Sequence, residues 1–184
     1  MLYQIVALLL DVATGLVGGA CLLRLYMQAQ RVPFGNPVGR LVFALSDWLV
    51  LPLRRVLPAL GKWDTASLVG VWLLELIQVT ALAALAGWGL GPMLPVAAVF
   101  GVIRLCLSGL MALVILSALL SWVRSDSVTA DVLDRLSAPF LRPFRRLIPL
   151  VGGIDLSPLA LLVALQIAGI VLASVQGTVM RAVG

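Results

Sequence analysis

The sequence predicts an all-α membrane protein whose four transmembrane helices form two tandem parallel repeats. Three observations support this fold class. Apolar residues make up 62% of the 184 residues, only 11% are charged, and the mean hydropathy is +1.14. The apolar residues fall into four runs long enough to cross a bilayer, which requires about 20 residues. A proline–arginine–proline segment also occurs twice, 91 residues apart.

This composition excludes several classes of protein. A chain of this size still exposes roughly a third of its unfolded surface when folded, which is too much for so apolar a sequence to be a soluble monomer. The net charge is +5 and the pI is about 10.2, but the charges lie between apolar runs, where membrane topology explains them better than nucleic-acid binding does. Because the sequence contains no His, it excludes catalysis by imidazole and most kinds of zinc site. We expect no enzymatic activity, cofactor, metal or nucleic-acid partner.

The predicted spans cover residues 2–25, 67–90, 94–122 and 158–180. The first run lacks the basic start of a signal peptide and carries Asp11, so we expect it to remain as a membrane helix. Gly15 and Gly19 predict close packing of this span against another helix. Cys21 and Cys106 lie in separate spans and are expected to be free thiols.

Basic residues orient the spans. They are concentrated in the linkers after the first and third spans, whereas the second linker carries no charge. With four spans these two linkers lie on one side, which the positive-inside rule makes cytoplasmic. The sequence therefore predicts a multi-pass protein of the bacterial inner membrane with both termini in the periplasm. The basic residues are Arg31, Arg40, Arg54, Arg55, Lys62, Arg124, Arg135, Arg142, Arg145 and Arg146.

The two predicted repeats, residues 1–91 and 92–184, carry the same motif. Residues 52–58 read PLRRVLP and residues 143–149 read PFRRLIP, and we call these two PxRRxxP segments the cassettes. An aspartate follows each cassette at the same spacing, Asp64 in the first half and Asp155 in the second. Each half contains two spans, so the halves have the same orientation about an axis along the membrane normal.

These motifs resemble the YggT (YlmG-like) family of membrane proteins over nearly the whole chain. The resemblance is carried by Asn36-Pro37, by LPLRRVLP at 51–58, and by RPFRRLIP at 142–149 with GGIDLSP at 152–158. The first repeat departs from this pattern, because it reads GKWDTAS at 61–67 and lacks the Ser-Pro pair. The resemblance implies a two-repeat proteobacterial form and a link to osmotic or ion homeostasis, with no agreed biochemical activity. In Gram-positive and plastid relatives it implies roles near cell division, nucleoid distribution and cytochrome assembly.

The segment before each cassette has the pattern of an amphipathic helix. Val132, Leu133 and Leu136 follow helical spacing, with Asp134 and Arg135 on the opposite face. In the first repeat the apolar stripe consists of Leu41, Val42, Leu45 and Leu49. Two placements fit such a helix: in the membrane interface, which the pattern favours, or packed on the helix bundle.

The cassettes are the first candidate site. Their prolines predict that no continuous helix passes through, so that a short kinked element holds each arginine pair at headgroup depth. Two roles are then open for the arginines. They bind anionic lipid headgroups or an acidic partner, or they only keep the linker on the cytoplasmic side and form an internal salt bridge to Asp64 or Asp155. The prolines are Pro52, Pro58, Pro139, Pro143 and Pro149, and the arginines are Arg54, Arg55, Arg145 and Arg146.

The start of the fourth span carries its own motif. Ser157 followed by Pro158 predicts an N-cap with proline at the first helical position. Asp155 is expected to accept nearby backbone amides or to pair with an arginine of the cassette. Asp64 has the corresponding turn position in the first half.

Polar residues within the spans form a second candidate site. Asp11, Glu75 and Arg104 each cost about 2.5–3.5 kcal/mol at the bilayer centre, so we predict that Arg104 pairs with Asp11 or Glu75. Gln166 lies 91 residues after Glu75, which places polar groups at equal depth in both halves. These residues either fix the helix register, which we favour, or line an ion or proton path.

The sequence therefore predicts a non-enzymatic membrane organiser. Its cytoplasmic cassettes bind anionic lipid or a partner, in support of osmotic or envelope homeostasis. Its expected partners are anionic membrane lipids, with a second copy or another membrane protein as further candidates. The alternative is a small ion channel or transport component with an intramembrane polar path.

Overall fold

The structure, a computed structural model, describes residues 1–57, 63–87, 89, 91–122, 127–148 and 155–183. The described residues form six α-helices and no β-strand, in agreement with an all-α fold. Pro58, Lys62, Arg124, Pro149 and the GGI segment at 152–154 lie outside the described residues. The helices are α1 (Leu2–Ala29), α2 (Pro37–Arg54), α3 (Thr65–Leu85), α4 (Met93–Trp122), α5 (Val128–Leu147) and α6 (Ser157–Val183).

Four of these helices, α1, α3, α4 and α6, are long and apolar enough to cross a membrane. Their bounds lie within five residues of the predicted spans and differ most at two ends. The first helix continues to Ala29 instead of ending at residue 25. The second ends at Leu85 instead of residue 90, because Gly87 has a φ of +72°, a left-handed conformation that terminates helices.

The two shorter helices, α2 and α5, begin at side-chain caps. The side chain of Asn36 accepts a hydrogen bond from the Gly39 N–H at 2.9 Å, and the Ser127 hydroxyl accepts one from the Ala130 N–H at 3.2 Å. Pro37 at the first helical position of α2 is compatible with this cap, because its missing N–H would have no partner there.

Helix α2 ends at Arg54 and α5 at Leu147, so each helix stops inside its cassette, but three of the prolines do not break the helix that contains them. Pro52 lies inside α2, and Pro139 and Pro143 lie inside α5. Each proline frees the carbonyl four residues earlier. Those earlier residues, Trp48, Arg135 and Pro139, are all exposed. Arg54 is the last residue of α2 and Arg55 is its C-cap, and Arg145 and Arg146 lie in the last turn of α5, where positive charge interacts favourably with the helix dipole.

Helices α1, α2 and α3 pack against one another, as do α4, α5 and α6. Contacts of α3 and α1 with α4, and of α2 with α5, join the two sets. The apolar side of α5 is buried: Leu133 and Leu136 pack with Met27, Val32 and Val42 in one core cluster. The Tyr26 hydroxyl donates a hydrogen bond to the Leu136 carbonyl at 2.8 Å across the same junction. That these two sets of three helices are tandem repeats of one unit stays a prediction.

Close approach between α1 and α4 occurs at a glycine other than those expected. A Cβ added at Gly18 would lie 2.7 Å from Leu105, whereas one added at Gly15 or Gly19 would meet nothing within 4 Å. The prediction that Gly15 and Gly19 pack closely is therefore wrong within this chain, and that face of α1 is open. Cys21 is buried in the core and Cys106 is exposed on α4, both as free thiols.

Candidate functional site

The first cassette belongs to a buried ionic network that begins at Arg24 on α1. Arg24 is only 3% exposed, and its Nη1 donates hydrogen bonds to Asp47 at 2.6 Å and to Ser46 at 3.0 Å. Its guanidinium also lies 4.8 Å from the centre of the Phe43 ring, within cation–π range. Arg24 thereby joins the end of the first membrane helix to the middle of α2.

Asp64, directly before α3, is the anion at the centre of this network. It is fully buried, and Arg54 of the first cassette donates to it from Nη2 at 2.5 Å and from Nε at 3.3 Å. The Ser67 hydroxyl donates to the same carboxylate at 2.7 Å, and Arg24 Nε lies 3.7 Å away. The Nη2 of Arg54 also donates to Gln28 at 3.3 Å. One carboxylate thus connects the ends of α1, α2 and α3.

The balance of these contacts lowers the pKa of Asp64. Burial is the largest single effect and raises it, but hydrogen bonds from Arg54 and Ser67, together with the Arg54 charge, outweigh burial and hold the pKa below the ordinary value of 3.8. Asp64 is therefore charged at neutral pH, and Arg54 has a permanent partner.

The second cassette forms a similar but more exposed pair. Arg145 Nε donates to Asp155 at 2.9 Å, and Asp134 lies 3.9 Å from the same guanidinium. The Asp155 side chain is 32% exposed and also accepts a hydrogen bond from the Ser157 N–H at 2.9 Å. Burial raises the pKa of Asp155, but the hydrogen bonds from Ser157 and Arg145 outweigh burial and hold the pKa below its ordinary value of 3.8.

Asp155 rather than Ser157 provides the polar contact at the start of α6. The Ser157 hydroxyl is buried and has no hydrogen-bond partner among the described residues, and its capping role stays a prediction. Asp155 accepts the Ser157 backbone amide and pairs with Arg145, the two contacts that the sequence suggested for it.

In each cassette the first arginine is paired and the second is not. Arg55 and Arg146 are exposed, and neither forms an ion pair or hydrogen bond with any residue that the structure describes. Consecutive residues at a helix end point about 100° apart, so the side chains of neighbouring arginines leave the helix in different directions. The apolar residue after each doublet is also exposed, Val56 at 78% and Leu147 at 80%. Pro52 and Pro143 are exposed on the turn before each doublet.

The intramembrane polar residues are arranged differently from the prediction. Asp11 accepts a hydrogen bond from Gln78 at 2.5 Å, and the described ion pairs do not include Arg104. Glu75 is 4% exposed and its carboxylate packs against Gly101, where any side chain would collide with it. Arg104 thus forms no direct ion pair among the described residues, but its charge acts on Glu75, and Asp11, Glu75 and Arg104 line one cavity of about 420 Å³. Gln166 lies apart from them, exposed on α6.

Sequence reasoning missed Arg24, through which α1 bonds to Ser46 and Asp47, and Gln78, which donates a hydrogen bond to Asp11. Arg24 lies one residue before the end of the predicted first span and Gln78 lies inside the second. A polar side chain inside an apolar run signals a buried partner, and that rule would have selected both.

Comparisons with known proteins agree with the motif resemblance. A family model described as CCB3/YggT matches residues 3–85 and again residues 96–176. The chain is 35% identical over 158 residues to the uncharacterized protein YggT of Escherichia coli, covering 84% of this chain and 81% of that protein. It is 34% identical over 151 residues to an uncharacterized protein of Pseudomonas aeruginosa, with coverages of 79% and 77%. No solved structure matches the chain.

Proposed function

This chain belongs to the CCB3/YggT family, and on that premise we propose that it is a non-enzymatic organising protein of the bacterial inner membrane. Its two cassettes bind anionic lipid headgroups at the cytoplasmic face and support osmotic or envelope homeostasis. The four apolar helices supply the membrane anchor, and the excess of arginine between them supports a cytoplasmic position for the cassettes.

The observation that carries this proposal is the division of each doublet. Arg54 and Arg145 are paired with aspartates, which fixes the ends of α2 and α5. Arg55 and Arg146 remain exposed without a partner in the described part of the chain. Positive charge alone is enough to keep a linker on the cytoplasmic side. That role does not require one paired and one unpaired arginine in each doublet. A positioned, unpaired guanidinium is suited to phosphate oxygens, which it can bind with two parallel hydrogen bonds.

The neighbouring side chains also suit a lipid surface. Val56 and Leu147 directly follow the unpaired arginines and are the most exposed apolar side chains near each cassette. Leu41, Trp48 and Leu51 are exposed on α2 as well. We place α2 and α5 along the membrane interface, with their buried sides on the helix bundle. Their exposed apolar side chains then enter the acyl region beside the headgroups that the arginines bind.

The lipid-binding proposal is tested with the purified full-length protein in nanodiscs that contain a fluorescent phosphatidylglycerol. Each arginine near an anionic surface contributes about 1 kcal/mol, so Arg55→Gln with Arg146→Gln should weaken phosphatidylglycerol binding by roughly 30-fold. Phosphatidylcholine binding should not change.

The matched control is Arg31→Gln with Arg40→Gln, which removes two exposed arginines from the first charged linker but outside the cassettes. This control should weaken phosphatidylglycerol binding much less. Equal losses in the two double variants would show that the cassettes act only through total charge, and would contradict the proposed site.

The proposed topology has its own test. Cysteines introduced at Val56 and at Leu147 in a Cys106→Ser background should both react with a membrane-impermeant maleimide only in inside-out vesicles. Labelling of the two positions from opposite sides would overturn the parallel arrangement of the repeats and with it the shared cytoplasmic face.

A further inference from the structure

A polar groove lies between α1, α3 and α4 in the middle of the membrane-spanning region. It has a volume of about 420 Å³ and is lined by Asp11, Thr14, Glu75, Gln78, Arg104 and Ser108, among others. Asp11, Arg104 and Ser108 are exposed, whereas Thr14, Glu75 and Gln78 are buried at its base. We call this feature the mid-membrane groove. It is separate from the cassettes, and its role is independent of the function proposed for them.

The charged residues of the groove lie at one depth. Asp11 is nine residues after the start of α1, Arg104 is eleven after the start of α4, and Glu75 is ten before the end of α3. These helix ends lie on the same side of the membrane, and at 1.5 Å per residue the three residues are roughly 13 to 17 Å from those helix ends. This depth is close to the middle of a hydrocarbon core about 30 Å thick.

The groove is incomplete in a single chain. Arg104 is exposed and belongs to none of the described ion pairs, although its charge acts on Glu75, and Asp11 has only the neutral Gln78 as a described hydrogen-bond partner. One Glu75 oxygen at the base of the groove is buried without a hydrogen-bond partner. A charged residue at mid-bilayer costs about 2.5–3.5 kcal/mol unless it faces a bundle interior or pairs. Exposure of a cation and an anion toward lipid therefore indicates a missing partner.

We propose that the missing partner is a second copy of this chain, which covers the mid-membrane groove so that Asp11 of each copy pairs with Arg104 of the other. The groove carries one exposed cation and one exposed anion, so it is complementary to itself, as a two-fold interface requires. A two-fold axis along the membrane normal preserves depth. Two residues can pair across such a dimer only if they lie at similar depths in the membrane, and Asp11 and Arg104 meet this condition.

The surface around the two charges allows close approach. Gly15 lies one turn after Asp11 on the same face of α1 and lines the groove, and a Cβ there would meet nothing within 4 Å. Ser108 lies one turn after Arg104 on α4. Small residues at these positions are typical of interfaces between membrane helices, because they let two backbones come close together.

Charge exchange tests the dimer directly. Copies with different C-terminal fluorophores are reconstituted in liposomes, and energy transfer is measured against the protein-to-lipid ratio. Asp11→Arg alone and Arg104→Asp alone should each weaken self-association by roughly 100-fold, because like charges then face each other twice across the interface. A mixture of the two variants should associate as the wild type does, since every pair across the interface is again of opposite sign.

This mixture separates pairing between copies from pairing within one chain. If Asp11 and Arg104 act within a single chain, mixing the two variants restores nothing, and the proposal is overturned. A wild-type chain that is monomeric at every ratio also overturns it, and leaves the groove to a lipid or another membrane protein. Gln166→Leu, on α6 outside the groove, is the control and should leave energy transfer unchanged.

A milder pair of variants covers the case in which the charge reversals do not insert. Asp11→Asn and Arg104→Gln remove attraction without adding repulsion, and each should weaken self-association by roughly tenfold. Thermal unfolding of these variants should match that of the wild type at dilutions where the protein is monomeric. Unchanged energy transfer in both would contradict the proposed interface.

Discussion

Arg54 and Arg145 each pair with an aspartate ten residues later, but the two pairs lie in different surroundings. Asp64 is fully buried, whereas the Asp155 side chain is 32% exposed. The first site also has a second guanidinium, that of Arg24, at 3.7 Å from Asp64. The residue 91 positions later is Ile115, which carries no charge. The same motif therefore pairs with a buried carboxylate in one half and with a partly exposed carboxylate in the other.

Removing the aspartates should give the largest contrast. Asp64→Asn leaves Arg24 and Arg54 without their common anion, and loss of one partner from a buried ion pair costs about 3–5 kcal/mol. Asp155→Asn should cost about 1 kcal/mol or less, because partly exposed pairs contribute little. Thermal unfolding in detergent measures both, and Asp131→Asn, an exposed carboxylate on α5, is the control. Equal losses of stability in Asp64→Asn and Asp155→Asn would show that the buried and the partly exposed ion pair contribute equally to the fold.

Acid should act on the two aspartates in the same direction but to different extents. Each pKa is lower in the folded protein than its ordinary value of 3.8. Each carboxylate therefore stabilises the fold above about pH 4, and that contribution is lost as the pH falls through the folded pKa. Stability measured from pH 7 to pH 2 should show a steeper acid loss in the wild type and in Asp155→Asn than in Asp64→Asn. Identical acid profiles for the wild type and Asp64→Asn would contradict a charged Asp64.

Arg24→Gln should make the first site resemble the second, with one arginine beside the aspartate instead of two. The change removes charged hydrogen bonds to Asp47 and Ser46, each worth about 1.5–3 kcal/mol, while Asp64 keeps Arg54 and Ser67. The expected loss of stability is about 3 kcal/mol, at or below that of Asp64→Asn. Arg181→Gln, at an exposed position near the end of α6, should change the unfolding temperature little. A similar effect of both arginine variants would show that the network does not stabilise the fold.

The smallest contrast concerns two buried serines at equivalent positions. Ser46 accepts a hydrogen bond from the charged Arg24, whereas Ser137 shares one of 2.9 Å with the neutral Ser117. Ser46→Ala should cost about 2 kcal/mol and Ser137→Ala about 1 kcal/mol, because hydrogen bonds to charged groups are stronger. Paired thermal unfolding of the two variants checks this order, and the reverse order would place the stronger network in the second half.

Much of the fold follows from local sequence features. Four apolar runs predict the long helices within a few residues of their observed bounds, because helix length in a membrane depends on local hydropathy and on turn residues such as Gly87. The internal pairing of the cassettes was one of the two interpretations that spacing allowed. The continuity of α2 through Pro52 and of α5 through Pro139 and Pro143 was not predicted, because local sequence shows the hydrogen bond that each proline removes but not the packing that can offset its loss.

The sequence by itself determined the membrane class, the number of long helices and the position of the two arginine doublets, since all of these depend on residues close together in the chain. Only the tertiary structure decided which arginine of each doublet is paired, which aspartate is buried, and that Arg24 meets Asp47 and Asp64 from 23 and 40 residues away. The reason is geometric. Neighbouring helical side chains point in different directions, and the packing of other helices decides which of those directions leads into the protein.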